Sequence, residues 1–384
     1  MLTCHHAAII VWLSHIMNSS LLSNENIADL RQQDSDAAVK PRIADDMAML
    51  RTAAELTRDL NAPRPIVYWV DFLASAAIGY AALFGAIMTD TLAVAVVATL
   101  VSIFALYRAG SFIHELTHIK HSTVPGFRLV WNMVVGIPLL VPSFMYEGVH
   151  NLHHARTRYG TVEDPEYLPL ARMKPYTVPF FVVVSGLAPM ALLFRHAVAA
   201  PLSLIIPPLR TLVVERYSGL VINPDFRRRM SEGELRRNWI VQEVAASLWA
   251  IGLLTAVATG FVPIKGFLIA FGIVSATMMI NQIRTLVAHL WENDGETLTV
   301  TAQFLDSVNV PPPAFLPALW APVGLRYHAI HHLLPGVPYH ALGEAHRRLS
   351  AALPKESYYH QGNYRGLPTL VKRLVSSTFK ARVS

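Results

Sequence analysis

Four apolar runs, each close to the length that a bilayer demands of a helix, constrain this chain more than any other feature. Crossing about 30 Å of hydrocarbon takes about 20 mostly apolar residues. Residues 66–88 and 91–107 form one pair of such runs, separated by little more than Thr89 and Asp90. Residues 240–260 and 264–281 form the other, joined through Gly260, Val262 and Pro263. Tight connections between long apolar segments predict two transmembrane helical hairpins. The composition agrees: of 384 residues 53% are hydrophobic and 15% charged, with a mean hydropathy of +0.37. That balance excludes disorder and a simple water-soluble enzyme.

Basic residues set the orientation, because short loops rich in Lys and Arg stay in the cytoplasm. The 208–239 segment carries Arg210, Arg216, Arg227, Arg228, Arg229, Arg236 and Arg237, whereas the two hairpin turns together offer only Lys265. Both turns are therefore expected to face outward, with the N-terminal stretch, the middle loop and the C-terminal region forming a cytoplasmic helical cap. The expected fold class is an all-α integral membrane protein, multi-pass, built from two hairpins and that cap. Two further apolar stretches, 129–145 and 178–207, are bounded or interrupted by prolines, and Arg195 and His196 lie inside the second. They read as interfacial or re-entrant helices.

The chain divides into an N-terminal cytoplasmic tail over 1–60, a main domain over 61–354 and a C-terminal cytoplasmic tail over 355–384. The HHAAIIVWLSHIM run in the first tail lacks the basic region that precedes a secretory signal. A flexible tail and an upstream start ahead of Met17 are its two readings. The formal charge of +6 arises from 32 basic and 26 acidic residues. The basic residues gather in loops rather than in an aromatic-interleaved stripe, which argues against a nucleic-acid partner. A single cysteine, Cys4, excludes an internal disulfide and any cysteine-based iron–sulfur or zinc-finger site.

Nitrogen must then carry any metal chemistry, and the chain holds 17 histidines. His114, His118 and His121 recur at i, i+4 and i+7, which places them on one face of a helix. His150, His153 and His154 repeat an i, i+3, i+4 pattern, as do His328, His331 and His332. Each triplet offers three convergent ligands. His289 stands apart, just past the last span. All four places fall on one predicted side of the membrane. Their imidazoles outnumber what one four- or six-coordinate ion can take, so a two-metal centre is the economical reading. Isolated histidines, such as His196, His340, His346 and His360, read as ordinary surface or core residues.

The segments HELTH (114–118), HNLHH (150–154) and HAIHH (328–332) resemble the three histidine boxes of the membrane fatty acid desaturase and hydroxylase superfamily, whose forms are HxxxH, HxxHH and HxxHH. The 322–349 stretch, PVGLRYHAIHHLLPGVPYHALGEAHRRL, is similar to the third-box region of bacterial fatty acid desaturases. The resemblance covers about 60–354, making that the desaturase-like domain, and His289 matches the family's histidine after the last span. It implies two Fe ions held by His114, His118, His150, His153, His154, His289, His328, His331 and His332, with O2 as co-substrate. His121 has no counterpart in the minimal box. The implied reaction removes two hydrogens from a methylene chain, and hydroxylation of a fatty acyl or alkyl chain is the alternative. The expected partners are a fatty acyl substrate linked to lipid, CoA or carrier protein, the membrane lipid, and an external electron donor such as a ferredoxin or cytochrome.

Glu115, Glu147, Glu163, Asp164, Glu292, Asp294 and Asp306 are candidates to orient the imidazoles from behind. The basic stretches Arg227–Arg229 and Arg347–Arg348 are candidate docking faces for an acidic carrier, or else topology and lipid-headgroup contacts. Two rivals from other classes remain. HELTH also satisfies the HExxH pattern of zinc peptidases, but such an enzyme needs one more ligand and leaves two clusters unexplained. A metal transporter would place ionisable ligands within its spans, where this chain has almost none.

Overall fold

The computed structural model describes residues 43–314 and 316–380. The HHAAIIVWLSHIM run and the question of a start before Met17 lie outside the described residues. Among these residues the chain is all-helical. Strands are absent and only isolated bridges occur, joining His289 to Ser307 and Asn309 to both Tyr327 and Asn363.

A first short helix, α1 (Met47–Leu56), leads into α2 (Pro65–Met88) and α3 (Leu92–His118). Proline at the first position of α2 suits a site whose N–H would be unpaired anyway. These two long helices pack along one another. Gly79 permits their close approach, since a Cβ there would lie 2.7 Å from Leu106 Cδ2, and Ser102 donates to the Gly79 carbonyl at 3.0 Å. The middle region supplies α4 (Thr177–Gly186), α5 (Ala188–Phe194) and α6 (Pro207–Tyr217), followed by α7 (Gly233–Ala258) and α8 (Ile264–Leu286). Helices α2, α3, α7 and α8 are long and apolar enough to cross a membrane, and no more than 28% of any one's apolar window is buried. The remainder, including Ile66, Phe84, Leu92 and Leu248, faces outward, as befits helices whose solvent is lipid.

The second pair is not a copy of the first. Helix α8 lies against α3, α4 and α5, whereas α7 packs on the π-helical turn Arg195–Ala199 and on Ser143–Met145. A buried ion cluster accounts for the divergence. Glu243 of α7 accepts from Arg195 at 2.6 Å and from Arg210 at 2.7 Å, tying α7 to the middle region instead of to α8. The 178–207 stretch is a bent pair, Thr177–Gly186 and Ala188–Ser203 meeting at 50°. The 129–145 stretch folds against α3 as a short helix and a π turn, with Trp131 fully buried and its indole N–H donating to the Ala109 carbonyl at 2.8 Å.

The cap gathers at the end of the spans where α2 and α7 begin and α3 and α8 finish. Arg128 meets Glu234 of α7 at 2.7 Å, and the Arg64 N–H ahead of α2 meets His340 at 3.1 Å. The cap contains α9 (Val300–Asp306), α10 (His328–Leu333), α11 (Leu342–Ala352) and α12 (Leu367–Lys380). Helix α1 buries Met49 and Ala53 in the cluster that holds Ala345 and Leu349 of α11, and α12 buries Leu370 and Leu374. Packing thus continues past the boundaries read from the sequence at 60 and 354. The i, i+4 spacing of each of these pairs supplies the apolar stripe.

Candidate metal centre

Helix α3 is 27 residues long, about 40 Å, which exceeds the hydrocarbon core by nearly two turns. Those last turns carry His114 and His118. His150 and His153 sit on a one-turn helix, with His154 as its C-cap. His328, His331 and His332 sit on α10, and His289 follows the end of α8. All nine histidines implied by the resemblance come together in two adjoining groups: His114, His118, His150, His154 and His331 in one, and His153, His289, His328 and His332 in the other.

The triplets do not converge as units; each divides. Relative to the first histidine, i+3 lies 60° to one side and i+4 lies 40° to the other. His150 and His154 therefore stay together while His153 turns to the second group. His328 and His332 likewise stay together while His331 turns to the first. His121 belongs to neither. The helix ends at His118, so His121 leaves the expected stripe and meets Glu147 at 3.0 Å.

Within the groups Nε2 faces Nε2. The separations are 3.0 Å for His150 and His154, 3.1 Å from His331 to each of His118 and His154, 2.9 Å for His289 and His328, and 3.2 Å for His328 and His332. Imidazole holds a first-row divalent ion at about 2.1 Å, so two adjacent ligands of one ion stand about 3.0 Å apart. The spacing fits that edge. For three of the nine, an outer partner fixes the tautomer. His153 Nδ1 donates to Asp164 at 2.9 Å and His150 Nδ1 to Glu166 at 2.8 Å. Tyr159 donates to Asp306 at 2.8 Å, so it accepts from His289 Nδ1, also at 2.8 Å. These three histidines are left with lone pairs pointing inward, and a cation is what such a donor set accommodates.

Electrostatics favour the same state. Burial, reinforced by the neighbouring imidazoles, pushes His150, His154, His289, His328, His331 and His332 well below the usual histidine pKa. They remain neutral near pH 7, as metal ligation requires. Burial also acts on His153, but the Asp164 carboxylate outweighs it and raises that pKa. Burial raises Asp306 to about 6 against the donated hydrogen bonds of Tyr159 and Tyr167.

Of the carboxylates singled out from sequence, Asp164 bonds an imidazole directly, while Glu115 lies 3.8 Å from His114 and Asp306 3.9 Å from His289. Glu147 joins His121 and Arg128, and Glu163, Asp294 and Glu292 pair with Arg158, Arg172 and Arg373 away from the centre. Sequence reasoning missed Glu166, Tyr146, Tyr159 and Ser307. Glu166 stood two residues beyond Asp164 in the same loop. The hydroxyls gave no signal, because tyrosine and serine have too many other uses.

The sequence profile of the fatty acid desaturase family matches residues 89–363, well over half of the chain. The chain belongs to that family. Among characterised proteins this desaturase-family member is similar to a ceramide hydroxylase from Caulobacter vibrioides (strain NA1000 / CB15N), with 47% identity over 345 residues, 89% of this chain and 98% of that protein. No solved structure matches it. The sequence reading put desaturation first and hydroxylation second; the relative favours the second.

Proposed function

We propose that this protein is an O2-dependent lipid hydroxylase whose substrate is a ceramide or a closely related sphingoid lipid. The observation that carries the proposal is 47% identity to a ceramide hydroxylase across 98% of its length, joined to the convergence of nine histidines as five plus four. Those nine would hold a pair of irons, His114, His118, His150, His154 and His331 on one and His153, His289, His328 and His332 on the other. When bound, the irons supply O2 reduction and the removal of hydrogen from an unactivated carbon, which no side-chain acid or base can achieve. The overall reaction places one oxygen atom in a C–H bond; the other leaves as water with two protons and two electrons. An external carrier provides the electrons, and the cap faces the cytoplasm.

The chain's own residues hold the donors in place. Asp164 accepts N–H bonds from Gly160 and Glu166, both at 2.8 Å, as well as from His153, so its carboxylate cannot swing and neither can the imidazole. The Tyr159–Asp306 pair does the same for His289. An aromatic cluster of Tyr68, Phe72, Phe112, Phe127 and Tyr339 lies in edge contact between the spans and the third-box loop. It excludes water on that side.

The test is reconstitution with ceramide, a reductase and ferredoxin, and isotopically labelled O2, read by mass spectrometry. A gain of one labelled oxygen is expected. A loss of two hydrogens would replace hydroxylation with desaturation. A one-zinc protein that consumes no O2 would overturn both.

A further inference from the structure

The histidines with a hydrogen-bonding group behind Nδ1 show a pattern with one exception. His150, His153 and His289 each face an acceptor, but His328 faces a permanent cation, Arg284, whose Nη2 lies 3.3 Å from its Nδ1. Arg284 is 8% exposed, its Nε has no hydrogen-bond partner, and among the described residues no carboxylate pairs with it. A buried guanidinium so poorly satisfied is costly. Any imidazole that binds an ion through Nε2 keeps its hydrogen on Nδ1, which would deprive Arg284 of even that acceptor.

Arg284 also lines a cavity of about 10 Å³, roughly one small polar group in size. Its other walls are Val287, Ala288, Val308, Val310, Trp320, Leu325 and Arg326; none offers a side-chain acceptor, and Arg326 donates to the Val310 and Ala314 carbonyls at 2.7 and 2.6 Å. Trp320 belongs to a short turn packed between α3 and α8, with its carbonyl held by Tyr107 of α3 at 3.0 Å. Leu316 and Leu319 of that turn are exposed, placing an apolar surface next to the cavity at the level of the spans.

From this we infer that Arg284 is a substrate-recognising residue: its guanidinium takes a neutral oxygen acceptor of the lipid, an amide carbonyl or a hydroxyl, arriving past the Leu316–Leu319 turn. The inference rests on the proposed lipid hydroxylase reading and specifies which protein group holds the polar part of the lipid. A neutral oxygen suits the place, because Arg326 is already engaged with two backbone carbonyls, the remaining walls are apolar, and a desolvated anion there would be costly. Fixing that oxygen beside His328 places the adjoining carbons against the histidine groups.

The experiment measures binding separately from turnover, on metal-loaded protein in lipid nanodiscs. Ceramide, an analogue with the amide carbonyl reduced to methylene, and an analogue lacking the primary hydroxyl are titrated against the thermal midpoint. Wild type should bind ceramide roughly ten- to a hundred-fold more tightly than whichever analogue lacks the recognised oxygen, as expected for a hydrogen bond to a buried charge. Arg284→Ala should lose that discrimination with two metals per chain retained, and Arg284→Lys, which keeps the charge without the fork, should fall between. Undiminished discrimination in Arg284→Ala would overturn the inference. So would metal loss in proportion to affinity, since the arginine would then serve only His328. Should the alanine variant fail to fold, the lysine variant decides alone. Selective binding without oxygenated product would sink the hydroxylase reading and leave this site standing; oxygenated product with unchanged selectivity in the variants would do the reverse.

Discussion

The two histidine groups are built from the same residue type on neighbouring elements, yet they differ in seclusion and in backing. In the five-histidine group His118 and His154 are half-buried, and of the carboxylates behind it only Glu166 hydrogen-bonds a ring, that of His150, while Glu115 stands 3.8 Å from His114. In the four-histidine group every member is buried, and two of the four are braced, His153 by Asp164 and His289 by the Tyr159–Asp306 pair. The difference teaches that one half relies on the number of donors and the other on rigidity. Even in the second group, His328 faces Arg284 and His332 Nδ1 has no hydrogen-bond partner among the described residues, so the bracing there rests on two rings of four.

Several experiments break or sharpen that comparison. Removing a proposed ligand from either group, as in His118→Ala or His153→Ala, should lower the metal content from two per chain to one. Product should fall at least about a thousandfold, since the metals carry the difficult step. Retained turnover in either variant would end its assignment as a ligand. Next in size, Asp164→Asn should weaken metal retention by about ten- to a hundred-fold, and Glu166→Gln by less, because Tyr146 also reaches His150 at 2.9 Å. Equal losses, followed by equilibrium dialysis, would erase the contrast in backing.

A chelator titrated into loaded protein should strip the half-exposed group first, giving a two-phase release; a single phase would mean the groups open together. Acid should act on the metal-free protein in one direction. Six of these histidines have pKa values held below the unfolded value of about 6.5, so below that pH the unfolded chain binds more protons. Stability is then present above about pH 6.5 and declines as the pH falls, visible in the thermal midpoint. His153, with its raised pKa, works against the trend. The smallest effect belongs to Glu292→Ala. That carboxylate pairs with Arg373 at 3.2 Å, both about half exposed, and its loss should change stability by less than about 1 kcal/mol and metal content not at all.

The spans were legible because lipid imposes a length and a composition that any reader of the sequence can count. The nine histidines were legible as well, by spacing and by resemblance. Their partition was not. An i, i+3, i+4 triplet announces that one ring departs from the other two, but which neighbour it joins depends on how α3, α10 and the 150–154 turn are docked. Glu166 and Tyr159 were hidden for a related reason, since each reaches its histidine through a loop with no periodicity. The divergence of α7 from α8 was hidden too: hydropathy sees two runs and a turn, whereas the Arg195–Glu243–Arg210 cluster decides which surfaces meet.

Helix α3 is continuous from its lipid-facing turns to His118. The height of the centre above the hydrocarbon is therefore geared to bilayer thickness through a stiff rod rather than a loop. For the lipid substrate proposed above, anchored by its head in the same leaflet, that rod would set the depth at which it meets the centre, and the membrane itself would work as a ruler for the atom that reacts.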